Sequence, residues 1–226
     1  MEVLYEDNHI VAANKRVSEI VQGDKTGDEP LSDKVKTYLK EKYNKPGAVF
    51  LGVVHRIDRP VSGVVLFART SKALARLNEM IKNHQIKKTY WAIVKNRPPA
   101  NSGKLEHYLV RDAEQNKSFA HDREVPGSQL ATLSYQVIGN GNGYWYLKID
   151  LQTGRHHQIR SQLAKIGCPI VGDVKYGSDS ANADGGIDLH ARSLEFTHPV
   201  AKTPVNIIAP PPEDQVWGGF LFKSKG

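Results

Sequence analysis

Residues 55–63 read HRIDRPVSG and directly follow an apolar run, VFLGVV at 49–54. This places the carboxylate of Asp58 between two arginines, and nearby cations favour its ionised form. An ionised aspartate can act as a nucleophile or as a base. The Pro, Ser and Gly that follow are turn residues, so the pattern predicts Asp58 at the mouth of a strand. The alternative is a surface ion pair, which contributes about 0–1 kcal/mol.

Composition limits the class of protein. The chain has 226 residues with 39% hydrophobic and 24% charged residues, which is typical of a soluble globular protein. No apolar run reaches the ~18 residues of a membrane span, and the acidic N-terminus lacks a signal-peptide pattern. The single cysteine, Cys168, excludes an internal disulfide. We therefore expect a cytoplasmic protein that contacts no membrane. The net charge of +7 permits a polyanionic partner without requiring one.

The hydrophobic pattern predicts more strands than helices, many of them joined by short turns. Helices are expected at 31–43 with Ser32 as N-cap, at 71–83 with Ser71 as N-cap, and at 156–166. The expected strands are 3–5, 10–13, 49–54, 64–68, 86–94, 131–138, 144–151, 187–196 and 204–209. This order favours an α+β fold with a mainly antiparallel sheet. No glycine-rich nucleotide loop precedes a helix, so no cofactor site is expected.

A second polar cluster, TGRHHQIR at 153–160, opens the third expected helix. Helix N-termini present free N–H groups, which suit a phosphate, and Arg155, His156 and His157 crowd this end. A solvated helix start is the alternative. A metal site that adds His190 and His198 is rejected, since adjacent histidines on a helix face apart and no Cys or carboxylate cluster completes the set.

A third cluster, KKTYW at 87–91, mixes cations with aromatic rings on one expected strand. Strand alternation puts Lys88 and Tyr90 on one face and Trp91 on the other. An aromatic ring beside a cation suits an unstacked base of RNA. Ordinary core packing is the alternative for both rings.

These segments, in this order, resemble the RluA family of RNA pseudouridine synthases. The resemblance rests on HRIDRPVSG at 55–63, TGRHHQIR at 153–160, GCPIVGDVKYG at 167–177 and LHARSLEFTHP at 189–199. The opening LYEDNHIVAANK at 4–15 is also similar. The match covers most of the chain and implies a central mixed, mainly antiparallel sheet flanked by helices and loops. It also implies a single catalytic domain over 1–226, without an N-terminal accessory RNA-binding domain.

The resemblance implies isomerisation of uridine to pseudouridine in rRNA or tRNA, without metal or organic cofactor. By position, Asp58 is expected to be the nucleophile, Tyr90 to stack on the target uracil, and Arg160 to pair with Asp58. Arg56 is expected to fill the space left by the flipped base, and Leu189 to line the pocket. Three further residues are expected to bind substrate: His55, Arg155 and His157. We expect a structured RNA as partner, and a monomer.

This chain departs from the family pattern at a few positions. Val61 replaces the usual Thr, so the hydroxyl is dispensable if the chain is active. Ile57 replaces Leu with equal volume, and His156 replaces Thr or Ser. The segment NKRV at 14–17 lacks the usual Pro after Lys.

Two other functions stay open on the sequence alone. A glycoside hydrolase built on Asp58 needs a second carboxylate about 5–10 Å away, and Glu106 and Glu195 are available without any spacing that selects them. A non-catalytic RNA-binding or ribosome-assembly module is the other alternative. The joint presence of Asp58, Tyr90 and Arg160 argues against it, because binding alone needs no aspartate.

Overall fold

The chain was described with a computed structural model that covers residues 1–214 and 216–218. It separates into two units. Unit 1 comprises residues 1–87 and 191–210, and unit 2 comprises 88–190 with the described residues from Pro211 onward. Both units are built on sheet with few helices, so the α+β prediction is confirmed. The single catalytic domain stays a prediction.

Unit 1 holds a sheet with two helices. Its elements are β1 (Glu2–Glu6), β2 (Ile10–Lys15), α1 (Leu31–Lys42), β3 (Gly52–Val53), β4 (Ser62–Ala68), α2 (Ser71–Lys82), most of β10 (Leu189–Thr197) and β11 (Pro204–Ile208). The strand order is β1-β2-β4-β10, with β3 along β4 and β11 along β10. Every pairing in this unit with a described register is antiparallel.

Strand β4 lies at the centre of unit 1 and positions the 55–63 loop. All seven of its residues are buried, which explains its continuous hydrophobic run. Gly63 adopts φ +118°, and a Cβ there would lie 2.3 Å from the carbonyl oxygen of Ala191. Only glycine fits this close approach of two backbones, so the last residue of HRIDRPVSG is fixed by packing.

Unit 2 is built on an antiparallel sheet, with helix α3 (Gln158–Lys165) against it. Its elements are β5 (Lys87–Val94), β6 (Ser102–Asp112), β7 (Lys117–His121), β8 (Gln129–Gly141), β9 (Tyr144–Leu151), α3 (Gln158–Lys165) and a 3-10 turn (Val174–Tyr176). The order is β5-β9-β8-β6-β7. The β6–β7 hairpin spans Ser102–His121. Trp91 packs on a core formed by Ile93, Tyr146 and Trp217, so core packing is the correct interpretation of this ring.

Several local predictions were wrong for identifiable reasons. The residue before α1 is Pro30, so Ser32 lies inside the helix and makes no cap. Thr70, not Ser71, caps α2, because its Oγ1 accepts the Ala73 N–H at 3.1 Å. The apolar run 49–54 forms only the two-residue strand β3, since apolar composition alone does not supply a pairing partner.

Within residues 1–214 and 216–218, no helix has the length and apolar character that crossing a bilayer requires.

Candidate active site

The loop between β3 and β4 presents Asp58 in unit 1. The Val61 N–H donates to the Asp58 carbonyl at 3.0 Å, which closes the turn that the Pro, Ser and Gly pattern predicted. Ile57 and Val61 point inward and are buried, whereas Asp58 is partly exposed. Val61 therefore fills an apolar position, where a methyl in place of a hydroxyl packs without loss.

The buried side chain of Lys15 holds this loop in place through hydrogen bonds. Its side chain is fully buried at the end of β2, and its Nζ donates to the carbonyls of Arg16, Glu19 and Arg59 at 3.0, 2.7 and 3.0 Å. Burial lowers the pKa of Lys15 to about 8, against the opposing charges of Glu19 and Asp58. The desolvated ammonium of Lys15 thus interacts electrostatically with Asp58 and hydrogen-bonds the carbonyl of Arg59.

The two arginines that flank Asp58 have different roles. Arg59 turns away and forms an ion pair with Asp28. Arg56 is exposed, and among residues 1–214 and 216–218 it has no hydrogen-bond or ion-pair partner. His55 is tied to the sheet, because its Nε2 accepts the Leu66 N–H at 3.1 Å. Arg56 is therefore the residue of the loop that faces solvent with an unengaged cation.

In unit 2 the segment 153–160 forms a tight turn before α3. The Gln158 Oε1 accepts from the Thr153 hydroxyl at 2.7 Å and from the Arg155 N–H at 3.0 Å. His157 adopts φ 51° and immediately precedes the helix. The rings of His156 and His157 consequently stack with centroids 3.8 Å apart. The expectation that these rings point to different helix faces was wrong, because the helix begins only at Gln158.

Arg160 is held by a buried carboxylate. Its Nε and Nη2 donate to Asp173 at 2.7 and 2.8 Å, and both side chains are almost fully buried. Two parallel bonds of this kind fix the plane of a guanidinium. The guanidinium carbon also lies 5.0 Å from the ring centroid of Tyr176. Asp173 and Tyr176 together define where Arg160 sits in unit 2.

Tyr176 extends this arrangement to His157. Its hydroxyl accepts the Ser118 N–H at 2.8 Å and lies within hydrogen-bond distance, 3.0 Å, of His157 Nδ1. Burial, aided by the charge of Arg160, lowers the pKa of His157 to about 2. His157 is therefore neutral. His156 Nδ1 bonds the Ser118 hydroxyl at 2.8 Å.

The structure places the predicted site residues in two groups. His55, Arg56 and Asp58 lie in unit 1, whereas Tyr90, Arg155, His157, Arg160 and Leu189 lie in unit 2. Within unit 2, His157 and Arg160 share the contacts of Tyr176. Tyr90 lies on β5 opposite Ile149, and Leu189 is buried at the start of β10. The exposed Arg155 bonds the Leu130 carbonyl through Nε at 3.1 Å. Pairing of Arg160 with Asp58 stays a prediction.

Three residues of this arrangement were missed. Asp173 and Tyr176 belong to the motif GCPIVGDVKYG, which was noted without assigning roles to its members. The sequence did not reveal that Asp173 pairs with Arg160, which lies 13 residues earlier in the chain. Lys15 lies in the opening similarity, but a lysine on a short strand is normally solvated. It is the last residue of β2, where the preceding apolar residues gave no sign that its side chain is buried.

The carboxylates that a glycoside hydrolase would need are engaged elsewhere. Glu106 forms an ion pair with Lys104 at 2.9 Å, and Glu195 forms one with Lys87 at 3.0 Å. Neither is directed to Asp58 by any described bond. Across residues 1–214 and 216–218, no three His, Cys, Asp or Glu side chains gather as a metal site would require.

Comparison with known proteins gives a consistent result. A sequence model of the family described as RNA pseudouridylate synthase matches residues 9–165. Ribosomal large subunit pseudouridine synthase D of Xylella fastidiosa is 32% identical over 95% of this chain and 67% of its own length. The tRNA pseudouridine synthase C of Pectobacterium carotovorum is 28% identical over 98% of this chain and 61% of its own length.

The solved structure of human RNA pseudouridylate synthase domain containing 4 has a similar fold. Its TM-score is 0.79 at 22% identity, over 99% of this chain and 93% of that one. The chain spans about two thirds of the length of the first two relatives. The family match covers well over half of the chain and includes the 55–63 loop and the start of α3. The chain therefore belongs to the RNA pseudouridylate synthase family, a family of isomerases, as the four motifs predicted.

Proposed function

We propose that this chain isomerises uridine to pseudouridine in rRNA or tRNA, with Asp58 as its nucleophile. The reaction breaks the N1–C1′ bond, rotates the uracil and joins C5 to C1′, while the C5 hydrogen leaves and N1 gains a proton. The observation that carries the proposal is the 55–63 loop, which presents a partly exposed Asp58 beside the unengaged Arg56 over a buried cation.

The other residues suit the steps that such a reaction needs. A base must leave the stack, at a cost of a few kcal/mol, and the exposed Arg56 is able to fill the gap. Tyr90 offers an aromatic face for the extruded uracil. Arg160, rigidly held by Asp173, is suited to stabilise the carboxylate of Asp58 as an anion. His55, Arg155, His157 and Leu189 are proposed to bind substrate around them.

The class of substrate RNA, the cellular location and the oligomeric state are also proposals. The printed names of the two relatives specify the large ribosomal subunit and tRNA, and either RNA suits a basic chain with net charge +7. We also propose a cytoplasmic protein, in accord with its single, buried cysteine, and a reaction without cofactor, because it needs no redox step. A monomer is proposed as well.

The test is release of tritium from RNA labelled at uracil C5. Wild-type protein with ribosomal or transfer RNA should release tritium, because C5 loses its hydrogen when it joins C1′. Asp58→Ala should release none while it still binds the same RNA. Unchanged release by Asp58→Ala would remove the assigned nucleophile. Absence of release from both RNA pools would favour the non-catalytic RNA-binding module.

A further inference from the structure

Lys88 is a half-buried lysine on β5 for which the reaction described above has no use. It lies two residues before Tyr90, so both side chains project from the same face of the strand. Its Nζ lies 3.2 Å from the point that a Cβ on Gly154 would occupy. The ammonium group therefore rests against the backbone of the Thr153-Gly154-Arg155 turn, and the missing side chain of Gly154 makes room for it.

Lys88 lacks the partners that other lysines of this chain have. Lys15 is more deeply buried but donates to three carbonyls, and the adjacent Lys87 forms an ion pair with Glu195. In the part of the chain that the structure describes, Lys88 has neither an acceptor nor a carboxylate within bonding distance. Burial alone lowers the pKa of Lys88. A desolvated cation without an acceptor is costly, so this arrangement favours an anion from outside.

We propose that Lys88 and the Gly154 turn bind a backbone phosphate of the substrate RNA beside the nucleotide that stacks on Tyr90. The proposal rests on the proposed function, since that function supplies an RNA with one phosphate per nucleotide. A compact ammonium is a suitable point charge for a phosphate. Arg155, next to Gly154, adds a second exposed cation at the same turn. Lys88 would thus set how far the RNA backbone lies from Tyr90.

The direct test follows the Lys88 ammonium by NMR in wild-type protein with isotope-labelled lysine, using Lys88→Met to assign the signal. Pentauridylate should raise the pH at which the Lys88 signal titrates, because a bound phosphate favours the charged form. Uridine nucleoside should leave it unchanged. No response to pentauridylate, or an equal response to the nucleoside, would overturn the proposal. An equal response to inorganic phosphate at the same concentration would indicate a free-phosphate site instead and would also overturn it.

Salt dependence supplies a second readout with a matched control. Each phosphate contact on a single strand contributes about 0.7 to the slope of log affinity against log salt concentration. For a 20-nucleotide oligouridylate, Lys88→Met should make this salt-dependence slope shallower by about that amount. Lys87→Met should change the slope less, because Lys87 already forms an ion pair with Glu195. Equal slopes for the two variants would contradict the site.

Both measurements are independent of turnover. Absence of tritium release with a responsive Lys88 would overturn the isomerase and support the phosphate site. Tritium release with an unresponsive Lys88 would overturn the phosphate site alone.

Discussion

Asp173 is the residue that fixes Arg160 in unit 2, and its removal should have a large effect. Breaking a buried ion pair by removing one partner costs about 3–5 kcal/mol, because the other charge stays buried without compensation. We predict that Asp173→Asn lowers the free energy of unfolding by about this amount. Urea denaturation measures it.

The matched control for Asp173 is Asp179, a carboxylate in the same region of the chain. Asp179 is exposed and pairs with the exposed Lys95 at 2.8 Å. Asp179→Asn should therefore leave the stability unchanged, since exposed pairs contribute little. If both variants unfold at the same urea concentration as wild type, the pair of Arg160 and Asp173 does not have the role given to it here.

Lys15 makes stability depend on pH in a defined window. Burial lowers its pKa from the ordinary 10.5 to about 8. Between about pH 8 and 10.5 the unfolded chain holds a proton that the folded chain lacks, so stability rises with pH over this range. The rise attributable to Lys15 is about 3 kcal/mol.

Lys15→Met lacks the titrating group, so comparison with wild type isolates the contribution of Lys15 to stability. The stability of wild type minus that of Lys15→Met should increase by about 3 kcal/mol between pH 7 and pH 10.5. Urea denaturation of both proteins at the two pH values measures it, and the other titrating groups cancel in the difference. A constant difference would show that the Lys15 pKa is not lowered on folding.

At the scale of elements, the 55–63 loop depends on the close approach of β4 to β10. A Cβ on Gly63 would meet the backbone of Ala191, which cannot move aside as a flexible side chain can. Gly177 has a φ of +105°, close to the +118° of Gly63, but nothing lies within 4 Å of its missing Cβ. The two glycines therefore separate backbone strain from a steric clash.

We predict that Gly177→Ala costs about 1–3 kcal/mol, the ordinary strain of such a φ, and that Gly63→Ala costs clearly more. Thermal and urea unfolding of the two variants measures the difference. Similar losses in both would mean that the Gly63 contact with β10 relaxes easily.

Elements with a strong local signal were predictable from the sequence. The hairpin β8–β9 alternates between buried and exposed positions and turns at Asn142-Gly143, which is a favoured hairpin pair. The apolar run 49–54 had no such signal, and its strand is shorter than predicted. Helix α3 begins two residues late because His157 takes a left-handed conformation, which no propensity of histidine indicates.

The candidate site was predictable only in part. Motif order selected Asp58, Tyr90 and Arg160 as candidates, because motifs record residue types. It did not give the bonds of Lys15 to Arg59 or of Arg160 to Asp173, since such pairs join separate elements. These contacts depend on tertiary packing, which local sequence patterns do not predict.

At the scale of the whole molecule, the proposed site residues are divided between the two units. Unit 1 brings the loop of Asp58, anchored on Lys15. Unit 2 brings the buried pair of Arg160 and Asp173, together with Tyr90 and Lys88 on one strand face. Rigid side chains held by buried partners are the arrangement that positions reacting groups without reorganisation during the reaction. We therefore expect Asp58 to be essential for the chemistry and the cationic and aromatic residues to bind the RNA.

The most direct measurement is nucleoside analysis of RNA digested after incubation with the protein. Wild type should convert uridine to pseudouridine in ribosomal or transfer RNA, and Asp58→Asn, which keeps the shape of the side chain, should form none while it binds the RNA with unchanged affinity. Pseudouridine formed by Asp58→Asn at the wild-type rate would contradict the account.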